Sequence, residues 1–164
     1  MNTNLTIIGI DPGYDRVGWC IGQLVHGQFQ LIAFNCIQTT DIKNIIERFE
    51  KIDRELQKIL VQYQPTEAAV ETLFFSSNRS TAMRVSEARG VILSSLFRQK
   101  VIISEYNPMV MKVAVTGNGL ATKQDIARML RLQFRLGNDK ILDDALDAIG
   151  MAITHSVSRT TNVP

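Results

Sequence analysis

The first forty residues alternate between short apolar segments and turn residues. An apolar run at residues 5–10 ends at Asp11-Pro12-Gly13, a turn sequence, and is typical of a strand buried on both faces. Two further strands are predicted at residues 17–24 and 29–37, joined by a hairpin turn at His26-Gly27. Together the three segments predict an antiparallel meander.

Beyond residue 40 the apolar positions recur at helical spacing. They predict a helix over residues 42–60, with Asp41 as its N-cap and Pro65 beyond its end. The strand at residues 68–71 is reached by a crossover, so we expect it to lie parallel to the first strand. The other predicted elements are a helix at 80–98, a strand at 101–104, helices at 108–115 and 122–134 around a glycine-rich loop, and a helix at 142–155.

This element order predicts an α/β fold with a mixed five-stranded sheet, in which three antiparallel strands are followed by parallel strands and helices cover the faces. The length of 164 residues suits one compact domain. We place that domain at residues 1–156, followed by a polar C-terminal tail at residues 157–164.

Composition narrows the class of protein. An apolar content of 45% argues against wholesale disorder, and no apolar run approaches the roughly 18 residues of a membrane-spanning helix. The N-terminus lacks the basic start and cleavage site of a secretory signal. Cys20 and Cys36 lie in apolar strands and are predicted to be buried free thiols, which favours a cytoplasmic protein.

Four acidic residues mark the candidate site. Asp11 ends the first strand, Glu71 ends the fourth, and Asp144 and Asp147 share one face of the last helix. If the two strands are parallel neighbours, their carboxyl ends emerge side by side, where active sites in such sheets lie. Converging carboxylates repel one another unless a cation neutralises them, and hard oxygen ligands suit Mg²⁺ or Mn²⁺.

Each acid alone has another interpretation. Asp11 before Pro-Gly is a common turn former, and Glu71 at a strand end could be solvated. Asp144, like its neighbour Asp143, is favourable near a helix start, and spacing does not separate these two. Asp147 lies in a largely apolar, alanine-rich helix, where an acid requires a partner.

Three sequence blocks resemble the catalytic blocks of the RuvC family, the bacterial Holliday junction resolvases of the RNase H-like superfamily. They are IGIDPG at residues 8–13, VETLF at 70–74 and DALDAI at 144–149. Two further segments, at residues 87–90 and 105–123, match in the family order. Each block alone is weak evidence for the family. All of them in the family order make the resemblance specific. It covers residues 5–155.

The resemblance implies a structure-selective endodeoxyribonuclease that cuts four-way junctions symmetrically and leaves 5′-phosphate ends. It implies two Mg²⁺ per site, with Mn²⁺ able to substitute, a homodimer, and the RuvA/RuvB branch-migration helicase as partner. By the same resemblance, the catalytic and metal-binding residues are Asp11, Glu71, Asp144 and Asp147.

The resemblance also assigns a DNA-binding surface. Phe74 is expected to insert among unpaired bases, and Lys112 and Lys123 to contact phosphates. The alternatives are a ring packed under a helix and a solvated helix face. The full set of expected DNA contacts is Phe74, Asn78, Arg79, Arg89, Lys112 and Lys123.

Two other functions stay open at this point. A strand-one Asp followed by a glycine turn also occurs in actin-like ATPases and sugar kinases, which need further glycine-rich phosphate loops and usually two domains. In a non-catalytic protein that only binds junctions, the four acidic residues would have a structural role and would not take part in catalysis. The net charge of +2 is lower than in many members of the family and does not by itself indicate nucleic acid. His155, on the face of Asp144, is predicted to be structural.

Overall fold

The computed structural model describes residues 5–72, 79–137 and 139–161. Within these ranges the sheet consists of β1 (Leu5–Asp11), β2 (Arg16–Val25), β3 (Gln28–Gln38), β4 (Glu67–Glu71) and β5 (Ile102–Tyr106). The helices are α1 (Ile45–Tyr63), α2 (Arg79–Arg98), α3 (Pro108–Thr116), α4 (Lys123–Phe134) and α5 (Asp143–Thr161).

The strand order is β3-β2-β1-β4-β5. β2 is antiparallel to both β1 and β3, whereas β4 is parallel to β1 and β5 is parallel to β4. The predicted mixed sheet is therefore confirmed. The predicted hairpin turn is also present, because His26 and Gly27 both have the positive φ angles, 51° and 76°, that a two-residue turn between twisted strands requires.

The strands bury both faces because consecutive side chains alternate between them. Ile8 and Ile10 of β1 pack against α1 and α2, while Ile7 and, on β4, Ala69 pack against α3, α4 and α5. Each fully buried isoleucine contributes roughly 1.5–3 kcal/mol relative to an exposed side chain. Odd-numbered positions of β1 and β4 thus face α5, and these include Asp11 and Glu71 at the two strand ends.

Helix α1 begins later than predicted. The expected N-cap, Asp41, lies before the helix and forms an ion pair of 3.4 Å with Lys51. The cap is Asn44, whose side-chain oxygen accepts a hydrogen bond of 2.8 Å from the backbone N–H of Ile46. Both Asp and Asn favour this position, and the pattern did not distinguish them. The predicted end is confirmed, with Gln64 as the C-cap ahead of Pro65.

Helix α5 ends later than predicted, at Thr161 instead of near residue 155. The hydroxyls of Ser158 and Thr160 donate to the carbonyls of Thr154 and Ser156, so these polar residues satisfy themselves within the helix. Residues 157–161, predicted to begin the tail, are therefore helical. The division of the chain into a domain at 1–156 and a tail at 157–164 stays a prediction.

Two smaller expectations concern the thiols and the membrane. Both cysteines are free, with Cys20 buried as predicted and Cys36 only partly buried. None of the helices in the described ranges combines the length and the apolar character needed to cross a membrane.

Candidate active site

The carboxyl ends of two parallel strands bring Asp11 and Glu71 together. Asp11 is the last residue of β1 and Glu71 the last of β4, and the register pairs their preceding neighbours, Ile10 and Val70. Both acids occupy odd-numbered positions, so both lie on the sheet face covered by α5. The predicted adjacency of these two acids is confirmed.

Two glycines let α5 approach this face at backbone distance. A Cβ atom on Gly18 of β2 would lie 1.8 Å from the carbonyl oxygen of Asp144, and one on Gly9 of β1 would lie 2.1 Å from that of Ala148. No side chain fits at either position, so the helix rests directly on β1 and β2. This packing carries Asp144 and Asp147 to the end of the sheet where Asp11 lies.

The four carboxyl groups influence one another. Burial, and then the charges of Glu71, Asp147 and Asp144, raise the pKa of Asp11 to about 8. Burial and the charge of Asp147 raise the pKa of Glu71 to about 7. The pKa of Asp147 is also raised, mainly by burial. The strand ends and the last helix therefore bring the four carboxyl groups near enough for the other three to raise the pKa of Asp11.

Two basic side chains partly neutralise this site. The Nε atom of Arg16 lies 3.1 Å from Oδ2 of Asp144, and the Nζ atom of Lys123 lies 3.5 Å from Oδ2 of Asp147. The pKa of Lys123 is raised, primarily by the charge of Asp147. The carboxylates themselves are largely shielded, with side-chain exposures of 19% for Asp144 and 15% for Asp147.

The residues present fit a divalent cation by their donor chemistry. All four side chains offer carboxylate oxygens, and the buried Oδ2 atom of Asp144 contacts Arg16 as an ion pair without a well-directed hydrogen bond. In the described ranges, no three acidic, histidine or cysteine side chains are placed so that they could hold a metal ion together. Two of the acids are held by basic side chains instead.

The structure separates Asp144 from Asp143, which spacing alone did not do. Asp143 is exposed at the start of α5, whereas Asp144 is shielded beside β2. Arg16 was missed by the sequence reasoning. The strand pattern could have indicated it. Positions 16 and 18 of β2 lie on the same face of the sheet, and Gly18 is the residue on which α5 rests.

The predicted DNA-contacting residues are only partly described. Phe74 and Asn78 lie outside the described residues, and Arg79 begins α2 with a side chain that is also outside them. Lys112, in α3, is partly buried. Lys123 opens α4 with 72% of its side chain exposed, and it is the predicted DNA contact that the structure brings directly to the acids.

Arg89 is more engaged than predicted. Its guanidinium forms an ion pair of 2.7 Å with Glu105 of β5 and donates from Nε to the carbonyl oxygen of Glu71 at 3.3 Å. Only 16% of the side chain is exposed. Arg89 thus connects α2 and β5 to the strand end that carries a site acid, and its contact with DNA stays a prediction.

His155 has the surroundings of a structural residue. Its two ring nitrogens lie 2.5 Å from Oε2 of Glu67 and 2.8 Å from the hydroxyl of Tyr106. The sequence reasoning did not find these partners, because Glu67 was placed just outside the fourth strand.

Comparison with known proteins decides the family. Residues 7–155 match the family described as crossover junction endodeoxyribonuclease RuvC. A crossover junction endodeoxyribonuclease RuvC of Petrotoga mobilis is 41% identical over 151 residues, which cover 92% of this chain and 93% of the relative. The chain belongs to the RuvC family.

Solved structures agree with this family assignment. The RuvC of Thermus thermophilus in complex with Holliday junction substrate superimposes with a TM-score of 0.86 at 28% identity, and the match covers 96% of each chain. The yeast mitochondrial Holliday junction resolvase, at 10% identity and a TM-score of 0.65, shares the fold over 95% of this chain and 80% of its own. The family is one of nucleases that act on phosphodiester bonds.

Proposed function

We propose that this protein is a structure-selective endodeoxyribonuclease that resolves Holliday junctions during homologous recombination and DNA repair. The observation that carries the proposal is the acidic site itself, formed where β1, β4 and α5 meet in a chain of the RuvC family. Four-way junction DNA is the proposed substrate, and the Thermus thermophilus relative is described in complex with a Holliday junction.

The proposed reaction is hydrolysis of a phosphodiester that leaves a 5′-phosphate. The proposed catalytic and metal-binding residues are Asp11, Glu71, Asp144 and Asp147, which would hold two Mg²⁺, or Mn²⁺ in their place. Such ions, when bound, supply an activated water and stabilise a leaving oxygen.

The side chains of the chain itself prepare this chemistry. Asp11 and Glu71, whose pKa values are raised to about 8 and about 7, must lose their protons before they can act as ligands. Lys123 offsets the charge of Asp147 and, with most of its side chain exposed, is available to a DNA phosphate. Partial burial of Asp144 and Asp147 weakens solvent screening, so their charges act more strongly within the site.

Junction selectivity requires contacts beyond the acids, because the acids recognise any phosphodiester. We propose Phe74 as an aromatic that stacks on unpaired bases at the junction centre. Lys112 and Lys123 would hold phosphates. The remaining proposed DNA contacts are Asn78, Arg79 and Arg89.

The proposed assembly is a homodimer, which would present two sites to two symmetric strands. The RuvA/RuvB helicase is its proposed partner, by family resemblance, and the cytoplasm its proposed location. Neither an actin-like ATPase nor a non-catalytic binder is favoured by the family assignment.

A direct experiment separates these functions. The purified protein is incubated with an end-labelled four-way junction and Mg²⁺, and separately with ATP and Mg²⁺. The proposal predicts paired nicks at symmetric positions with ligatable 5′-phosphate ends, and no ATP hydrolysis. Binding of the junction without nicking in either Mg²⁺ or Mn²⁺ would contradict it.

A further inference from the structure

Arg16 is a basic residue of β2 that contacts the acidic site. It begins β2, and the adjacent strand β1 ends at Asp11, which pairs with Gly18 only two residues further along β2. Because positions 16 and 18 share a face, the guanidinium lies on the side of the sheet where α5 rests. Its Nε atom contacts Oδ2 of Asp144 at 3.1 Å.

The two partners in this ion pair differ in their access to solvent. Asp144 is shielded, with 19% of its side chain exposed, whereas 45% of the Arg16 side chain is exposed. The carboxylate is therefore fixed within the site, while the guanidinium is attached to the rim by a long, flexible stem. We therefore expect a rearrangement of this contact to move the arginine and not the acid.

A cation bound by the acids would compete with Arg16 for Asp144. The Oδ2 atom that Arg16 contacts is the buried oxygen that has no well-directed hydrogen bond. A divalent ion on this carboxylate removes much of the attraction that holds the guanidinium there. A released guanidinium would stay attached to the start of β2, next to the strand that ends at Asp11, and its planar set of donors matches a phosphate group.

We propose that Arg16 is a phosphate-binding residue of this active site, which holds Asp144 until a divalent cation takes the carboxylate and then turns to the phosphate of the DNA strand. The inference rests on the proposed nuclease function. Lys123 contacts Asp147 from α4, so the two basic residues would grip the DNA backbone from β2 and from α4.

The test uses Arg16→Gln, which removes the charge, and Arg16→Lys, which keeps it. Arg54→Gln is the matched control, because Arg54 is about as exposed as Arg16 and pairs with an acid, Glu50, on α1, which packs on the other face of the sheet. Circular dichroism and thermal melting first establish that each variant is folded. Mn²⁺ binding is then measured without DNA by electron paramagnetic resonance, and junction binding is measured in Ca²⁺ at several salt concentrations.

The proposal predicts opposite changes for binding of the cation and of the DNA. Arg16→Gln should bind Mn²⁺ roughly two- to fivefold more tightly, because a competing surface charge is gone. The slope of log affinity for the junction against log salt should fall by about one, as for one lost phosphate contact. Single-turnover cleavage at saturating Mn²⁺ should fall about tenfold or more, as expected for a lost charge-assisted hydrogen bond, with partial recovery in Arg16→Lys.

Other results overturn the proposal. Unchanged or weaker Mn²⁺ binding in Arg16→Gln would exclude the competition for Asp144, and an unchanged salt slope or parental cleavage would exclude the phosphate contact. Equal effects in Arg54→Gln would show that only net charge matters. If the parent protein cuts no junction with any divalent cation, the nuclease function itself fails, while the Mn²⁺ and DNA titrations still decide the role of Arg16.

Discussion

The Nε2 atom of His155 in α5 lies 2.5 Å from Oε2 of Glu67, the first residue of β4, and both side chains are almost completely buried. The other ring nitrogen lies 2.8 Å from the hydroxyl of Tyr106, and Arg159 contacts Oε1 of Glu67 at 3.0 Å. The network joins the helix that carries two site acids to the strand that ends at Glu71.

Removal of Glu67 should destabilise the fold. In Glu67→Ala the buried His155 and the Arg159 head lose their shared partner, and we expect the free energy of unfolding to fall by about 1–3 kcal/mol. Thermal melting should report this as a clear drop in Tm. Glu50→Ala removes an exposed acid from the Arg54 pair and should leave Tm nearly unchanged. Equal Tm changes in the two variants would contradict a structural role for the network.

The raised pKa of Asp11 predicts how stability depends on pH in the absence of divalent cations. From its ordinary value of 3.8 up to about 8, the folded protein holds a proton that the unfolded chain has lost. The contribution of Asp11 to the free energy of unfolding is therefore full below pH 3.8 and is lost progressively as the pH rises to about 8. Melting in chelator between pH 5 and pH 9 should show a declining Tm, and Asp11→Asn should flatten the decline.

Two controls accompany the pH series. Asp143→Asn removes an exposed acid next to the site and should keep the decline. Addition of Mg²⁺ at pH 8.5 should restore Tm in the parent, because a bound cation replaces the lost protons. A Tm that rises with pH in chelator would show that the acids are not packed together.

The identity of the cation should separate binding from cleavage. Ca²⁺ suits carboxylate oxygens but coordinates loosely, so it should support junction binding without turnover. Mg²⁺ and Mn²⁺ should support both. Gel-shift titrations beside single-turnover cleavage, in each cation, provide the comparison. Rapid cleavage in Ca²⁺ alone would show that the proposed pair of Mg²⁺ ions is not the catalytic arrangement.

The sequence predicted the sheet because strands follow short-range patterns. It marked the acids by their places at strand ends and on one helix face, and only the resemblance to the RuvC family chose Asp144 over Asp143. A short apolar run defined β1, and parallel pairing of β1 with β4 follows from a right-handed crossover. That pairing brings Asp11 beside Glu71. The helical repeat of α5 then placed Asp144 and Asp147 on one face.

The contacts of Arg16 and Glu67 could not be predicted in this way. Arg16 contacts Asp144 and Glu67 contacts His155, and both partners lie far away in the sequence. Local sequence patterns do not predict contacts between such distant residues. Gly9 and Gly18 offered a signal of close helix packing that went unused. Each lies where α5 touches its strand, and a side chain would not fit there. The cap of α1 was misplaced because Asp41 and Asn44 are both good caps.

Phe74, which lies outside the described residues, carries the prediction on junction selectivity. Its ring is expected to stack on unpaired bases that a linear duplex does not offer, which is worth about 1–3 kcal/mol per base. Phe74→Ala should lower junction cleavage at saturating enzyme by more than it weakens binding, because stacking positions the strand. Single-turnover cleavage and a binding titration, on a junction and on a matched duplex, measure this. Parental cleavage rates would place selectivity in Arg79 and the lysines.

The most direct test of the acidic site compares two substitutions of the same chemistry at different acids. Asp11→Asn removes a proposed metal ligand, whereas Asp143→Asn removes an exposed acid from the start of α5. Single-turnover cleavage of a labelled four-way junction at saturating Mg²⁺ is measured for both, with binding measured in parallel. We predict no detectable cleavage by Asp11→Asn, with junction binding equal to or tighter than that of the parent because one repulsive charge near the phosphate is gone, and near-parental cleavage by Asp143→Asn. Full cleavage by Asp11→Asn would contradict the proposed role of Asp11 as a catalytic metal ligand.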